Sequence, residues 1–113
     1  MTRWTVIFFP PAGENHSPED FIDRIQPVAE AARIMQHLNA ISKLSELRPH
    51  ERPGVKRFKK IYQLTCGNHR LYFDTDEGRL IVVLYACRKR SNETKKKDLD
   101  QALRNLANYY RSK

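Results

Sequence analysis

Cysteine is scarce in this chain, acids are outnumbered, and long apolar runs are missing. Only Cys66 and Cys87 occur in 113 residues. They lie far apart in strand-like surroundings and at no metal-binding or redox spacing, which excludes a disulfide-stapled scaffold and a zinc ribbon. Both are read as reduced, mostly buried small side chains. The histidines His16, His37, His50 and His69 are scattered without zinc-ligand spacing. No metal and no other cofactor are expected, and the compartment is read as a reducing cytoplasm. No stretch approaches the ~20 apolar residues of a membrane-spanning helix. Residues 1–10 are basic and then apolar, but Pro10 and Pro11 end the run and no small-residue cleavage site follows, so a signal peptide is not expected. What remains is the composition of a globular chain, 40% hydrophobic and 30% charged, of a length that suits a single domain over residues 1–113.

The shortage of acids is uneven. Lys and Arg number 21 against 13 Asp and Glu, a net charge of +8. Residues 1–44 carry four basic and five acidic residues, a net of −1, whereas residues 45–113 carry seventeen and eight, a net of +9. The N-terminal third therefore reads as scaffold and the remainder as a surface that faces a polyanion. No basic amphipathic helix with bulky apolar anchors marks the N-terminus, so nucleic acid is favoured over a membrane surface as the partner.

Residues 4–9 are aromatic and β-branched and form a first strand, and residues 10–16 read as a loop. Ser17 caps a helix, Pro18 suits its first turn, and Glu19 and Asp20 favour its positive end. Phe21, Ile22 and Ile25 give that helix its apolar face, and Gln26-Pro27 interrupts it. A second helix runs over about 27–44, with Val28, Ala31, Ala32, Met35, Leu38, Ile41 and Leu44 as its core-facing stripe. Residues 45–60 show no period. They hold Arg48, Arg52, Lys56, Arg57, Lys59 and Lys60 between the breakers Pro49 and Pro53-Gly54, and read as a long basic connection.

Strands are expected over about 61–66, 70–75 and 80–89. Cys66-Gly67-Asn68-His69 joins the first two, and residues 75–79, with Gly78 at positive φ, join the second and third. Leu71 and Phe73 alternate with Arg70, Tyr72 and Asp74, so one face of the middle strand is buried. Leu80-Ile81-Val82-Val83-Leu84 is apolar on both faces, which places the third strand centrally. Thr94 caps a last helix to about residue 110, with Leu99, Ala102, Leu103, Leu106 and Tyr110 as its stripe. Lys95, Lys96 and Lys97 crowd its first turn against the helix dipole, and Asp98 and Asp100 stand ready to offset them. The expected class is α+β, ordered β-α-α-β-β-β-α. A helical hairpin covers one face of a small, antiparallel-rich sheet, and the C-terminal helix packs beside or across it.

Four segments in this order resemble the RelE/ParE toxin superfamily of type II toxin–antitoxin systems, and within it the HigB-like, phage-related branch. A tryptophan-bearing strand leads into Ser17-Pro18-Glu19-Asp20-Phe21. Ile61-Tyr62-Gln63-Leu64 precedes Gly67-Asn68-His69-Arg70-Leu71-Tyr72-Phe73. The strand after Gly78 ends in Arg88-Lys89-Arg90, and Thr94-Lys95-Lys96-Lys97-Asp98 opens the last helix. The resemblance covers residues 1–111 in outline and about 60–111 in detail, and it implies a RelE-like fold. It also implies a ribosome-dependent mRNA endonuclease, neutralised by a small HigA-like helix-turn-helix antitoxin. The implied partners are that antitoxin, the ribosome and mRNA. A larger toxin–antitoxin complex on operator DNA is left open. Other members of the superfamily inhibit DNA gyrase. The chain departs from the pattern at Thr65, where an arginine is frequent, and at Lys95, where a proline usually follows the threonine. The acidic–tyrosine–histidine cluster that ends some HigB-like chains is not matched by Tyr109-Tyr110-Arg111-Ser112-Lys113.

RNA is cleaved without a metal when a 2′-hydroxyl attacks the adjacent phosphate in line, leaving a 2′,3′-cyclic phosphate. The protein must orient the attack, neutralise charge on phosphorus and move protons. Guanidinium forks suit the charge-stabilising role. The resemblance places Arg70 at the family's functional arginine, as a transition-state clamp fixed by the Gly67 turn. Lys89 is expected as a further phosphate contact or as proton donor to the leaving oxygen. Arg88, Arg90, Lys60 and Lys95 are supporting RNA contacts. Arg88 and Lys89 cannot both face one site while their strand stays regular. Tyr62 and Tyr72, with Tyr85, are candidates to stack on a splayed base, the plainer reading being ordinary sheet aromatics. The base is unassigned between His69, which neighbours Arg70 and should point the other way, and His50 in the basic connection. Two alternatives stay open: a gyrase-inhibiting toxin with structural strand arginines, and a basic RNA- or DNA-binding module without toxicity.

Overall fold

The computed structural model describes residues 3–44, 54–58, 60–89 and 94–113. Their elements run β1 (Thr5–Phe8), α1 (Pro18–Asp23), α2 (Val28–Ser42), β2 (Val55–Phe58), β3 (Ile61–Cys66), β4 (His69–Asp76), β5 (Leu80–Arg88) and α3 (Lys96–Ser112). The class is α+β, with a five-stranded mixed sheet in the order β1-β5-β4-β3-β2. β1 runs parallel to β5 and every other pair is antiparallel. β5 therefore has a neighbour on each side, as its two-faced apolar sequence requires.

Two apolar layers sandwich the sheet. On one face α1, α2 and the short connection between them bring Ile22, Ile25, Ile34, Leu38 and Ile41 against Leu64, Leu71, Phe73, Ile81 and Val83. On the other, α3 brings Ala102, Leu106 and Tyr109 against Ile61, Tyr72, Val82 and Leu84. The C-terminal helix thus covers the face opposite the helical hairpin. Each fully buried Ile, Leu or Val side chain of these layers contributes roughly 1.5–3 kcal/mol.

Local signals account for most boundaries. The Asp20 amide donates to Ser17 Oγ at 3.2 Å, the N-cap bond that Ser17-Pro18 announces. Gly67 has φ +57 in the two-residue turn between β3 and β4, a backbone setting costly to residues with a Cβ.

Four expectations are corrected. Residues 55–58, read as part of a loop, form the edge strand β2. Val55 enters the core while Lys56 and Arg57 remain exposed, a charged edge that resists pairing with another chain. Pro53-Gly54 just before it and a four-residue length hide this strand from a periodicity argument. In α2 the buried stripe is Ile34, Leu38 and Ile41, at i, i+4 and i+7. Val28 is 69% exposed and Met35 42%. In α3 the sheet-facing residues are Asp98, Ala102, Asn105, Leu106 and Tyr109, and Tyr110 is turned outward. Two polar residues lie on that face, so hydrophobicity alone misplaces it. Finally, Lys95 occupies the N-cap position of α3 without a side-chain bond, while Thr94 Oγ1 donates to Gln63 Oε1 at 2.7 Å. Thr94 ties the start of α3 to β3 rather than capping it.

Candidate functional site

The candidate site is organised by a β-bulge. Tyr72 pairs with Tyr85 but Phe73 pairs with Val83, so Leu84 is an extra residue in β5. Leu84 and Tyr85 both turn towards α3, and the alternation beyond them is reversed. Ala86 then faces α1 and α2, while Cys87 faces α3. Arg88, paired with His69, falls on the α1 side, opposite to Arg70, which pairs with Cys87. The carbonyl of Leu84 accepts a bond from Asn105 Nδ2 at 2.7 Å, and Gln101 Nε2 donates to Asn105 Oδ1 at 2.9 Å. The buried Asn105 is α3's contact with the bulge.

β1 pairs with Leu80–Val83 of β5 and stops, its last link being Phe9 N–H to the Val83 carbonyl at 2.9 Å. Beyond that point the β5 edge borders a cleft of about 490 Å³. One wall is the loop from Gly13 to Ser17, the second is α1 with Asp20 and Arg24, and the third is the first turn of α3 with Lys97 and Asp98. Tyr85 and Arg88 line it from the strand. Arg24, Arg88 and Lys97 are exposed cations on three different elements, and Glu14, Asp20 and Asp98 are the acids. His16 also lines this cleft, its ring 6.2 Å from that of Tyr85.

Behind the cleft lies a buried polar group on the α3 face. Arg70 is only 4% exposed, between Thr65 of β3 and Cys87 of β5. Burial pushes the Tyr72 phenol well above its ordinary range. Cys87, Asp98 and Tyr85 push the same way, and the Arg70 charge opposes them. Tyr72 is therefore held neutral, and its hydroxyl has no hydrogen-bond partner among the described residues.

The structure sorts the sequence-predicted residues. Arg70 and Lys89 stand at the same end of the sheet. The Lys89 amide donates to the Asn68 carbonyl at 2.6 Å, one register step beyond the His69–Arg88 pair. Arg88 lines the cleft, and Lys95 is exposed just before Lys97. Lys60 is separated from them. It precedes β3 at the far end from Cys66 and lines a hollow with Leu103, Leu106 and Tyr110. At ~3.3 Å per residue, the length of β3 puts it roughly 15 Å or more from the Arg70 end. Tyr72, 0% exposed, offers no free ring to a base, which corrects the stacking expectation. Tyr62, 6% exposed, is likewise engaged. Its ring stacks on Phe73 at 5.2 Å, and Arg57 sits over it at 4.5 Å and donates to its hydroxyl. His69 is buried against Phe21, with Nδ1 3.8 Å from Glu30 Oε2, on the face away from Arg70. Arg90 and His50 lie outside the described residues, as does most of the basic connection. Sequence reasoning missed Arg24, Lys97 and His16 as members of one cleft, because they are gathered from three elements. The nearest signal in the chain was the triple lysine crowding the start of α3.

A family model described as Phage derived protein Gp49-like (DUF891) matches residues 20–107, from α1 through most of α3. The chain belongs to the Gp49-like family. This is a family of RelE/ParE-like toxins of toxin–antitoxin systems, so the Gp49-like chain is a phage-derived, toxin-like protein. Among curated proteins, none matches it. No helix among the described residues of the Gp49-like chain is long and apolar enough to cross a membrane.

Proposed function

We propose that this protein is the toxin of a type II toxin–antitoxin pair, of the HigB-like kind, and that it halts translation as a ribosome-dependent mRNA endonuclease. The observation that carries this reading is the cleft at the β5 edge, where the exposed cations Arg24, Arg88 and Lys97 come from three elements, alongside Glu14, Asp20 and Asp98, with an aromatic ring, Tyr85, beside them. Cations fixed on separate rigid elements suit a phosphate whose charge grows in the transition state. An aromatic ring beside them suits a splayed base. Arg70 and Lys89, at the same end of β4 and β5, supply further positive charge. In the proposed reaction the 2′-hydroxyl attacks phosphorus in line and the 5′-oxygen departs. The fold orients the phosphate and neutralises its charge. The ribosome holds the mRNA extended, so free RNA is a poor substrate. A helix-turn-helix antitoxin is the proposed partner.

The test is primer extension on mRNA after brief induction, comparing wild type with Arg70→Ala, Arg88→Ala and Lys89→Ala. Cuts at defined codon positions that vanish in the arginine variants support the reading. Growth arrest with intact mRNA and relaxed plasmid DNA would replace it by a gyrase-inhibiting toxin.

A further inference from the structure

We infer that His16 is a catalytic residue of this cleft, the proton acceptor for an RNA 2′-hydroxyl whose phosphate lies among Arg24, Arg88 and Lys97. The inference rests on the endonuclease reading above and adds to it the group that starts the chemistry.

Three observations converge on His16. The first is place: among the described residues it is the one histidine that lines the cleft. The second is conformation. His16 has φ +63, a left-handed setting in which the Cβ crowds the following carbonyl at a cost of roughly 1–2 kcal/mol. The loop around it is tied on both sides. Glu14 N–H donates to the Pro11 carbonyl at 3.1 Å, and Ser17 N–H to the Glu14 carbonyl at 3.2 Å. Gly13 N–H donates to Asp20 Oδ2 at 2.7 Å, and the Asp20 amide returns to Ser17 Oγ. A backbone strained at one exposed residue and held by four bonds from its neighbours is a positioning device, of the kind that gathers at functional sites. The third is the ring itself, which lies tilted at 57° against Tyr85, 6.2 Å away. Tyr85 turns to the α3 side with Leu84 because of the bulge, so the bulge sets the platform on which the imidazole rests.

The step balances within the cleft. A neutral imidazole nitrogen of His16 takes the proton of the 2′-hydroxyl. The 2′-oxygen forms its bond to phosphorus, the bond from phosphorus to the 5′-oxygen breaks, and the 5′-oxygen takes a proton from the Lys97 ammonium. A 2′,3′-cyclic phosphate and a 5′-hydroxyl leave, and solvent returns the proton from His16 to Lys97. Arg24 and Arg88 stabilise the non-bridging oxygens. The charges that face His16 are Glu14 on its own loop, Asp20 and Arg24 of α1, and Arg88 of β5, with Lys97 and Asp98 of α3. Tyr85 and Cys87 are the neutral titratable groups of the same walls.

The experiment is single-turnover cleavage of a defined mRNA on programmed ribosomes, from pH 5.5 to 8.5, with wild type, His16→Asn and His16→Gly. Both replacements tolerate a left-handed φ, and thermal melts check that they fold. We expect His16→Asn to slow cleavage by about 100-fold or more with little change in the half-saturating ribosome concentration. We expect the wild-type rate to rise with pH, the rise to vanish in His16→Asn, and added imidazole to restore His16→Gly in part. Wild-type cleavage with an unaltered rate and pH profile in His16→Asn overturns the His16 role alone. Loss of activity in His16→Gly that imidazole fails to restore marks a structural role and overturns it too. Intact mRNA with wild type overturns the nuclease reading and this inference together.

Discussion

The hydroxyl of Tyr109 donates to Oδ2 of Asp76 at 2.7 Å, joining the last turns of α3 to the hairpin between β4 and β5. Lys113 Nζ reaches the same oxygen at 2.8 Å. Lys113 first, then Tyr109, and the Glu77 amide that donates to Oδ1 at 2.8 Å hold the Asp76 carboxyl down at about 2. A carboxyl whose pKa is lowered on folding stabilises the fold above its unfolded value, about 3.9. That stabilisation is lost as pH falls through about 2. Tyr109→Phe should cost about 1 kcal/mol at neutral pH. Asp76→Asn should flatten the acid limb of a plot of melting temperature against pH between about 4 and 2. An unchanged acid limb in Asp76→Asn would refute the latch.

Ile34 and Met35 are neighbours with opposite fates. Ile34→Ala empties a fully buried site beneath α2 and should cost about 2–5 kcal/mol in a urea titration. Met35→Ala, at a half-exposed position, should cost less than about 1 kcal/mol. Equal losses would mean that α2 is rotated from the placement described.

Tyr72 carries a buried hydroxyl with no hydrogen-bond partner among the described residues. Its removal in Tyr72→Phe should leave stability unchanged or raise it by about 1 kcal/mol. Cleavage on the ribosome should persist, since the ring is enclosed. A large drop in cleavage without a drop in melting temperature would show that the phenol reaches the RNA after all.

Asn105→Leu keeps the volume of the side chain but withdraws the bond to the Leu84 carbonyl. The expected cost is about 1–3 kcal/mol, from one unsatisfied carbonyl at the bulge. Because the bulge decides which way Tyr85 and Arg88 point, RNA binding should weaken as well. Undiminished binding in a folded Asn105→Leu protein would separate the cleft from the bulge.

Arg88→Ala and Lys97→Ala should each weaken binding of single-stranded RNA and lower the slope of log affinity against log salt by roughly one. Lys60→Ala, at the far end of the sheet, should do neither. Filter binding at several salt concentrations gives all three slopes, and a matching loss in Lys60→Ala would place the RNA track elsewhere.

Much of the fold was written locally. Ser17-Pro18 started α1, Gln26-Pro27 separated α1 from α2, and Gly67 and Gly78 marked the two tight turns, because each depends on backbone preferences that a few adjacent residues settle. Longer-range features escaped the sequence. Val55 to Phe58 became a strand only because β3 offered an edge to pair with. The buried sides of α2 and α3 were misjudged because Met35 and Tyr110 are apolar yet face outward. Asp98 and Asn105 are polar yet face the sheet.

The sequence alone determined an α+β chain with its positive charge concentrated after residue 44, since composition and turn residues act over short distances. Only the tertiary structure decided which cations share a space. One inserted residue, Leu84, reverses the alternation of β5 and so puts Arg88 on the side of the sheet opposite to Arg70 of β4. No local propensity encodes that choice, because it is made by the pairing of Phe73 with Val83 and by Asn105 reaching across from α3.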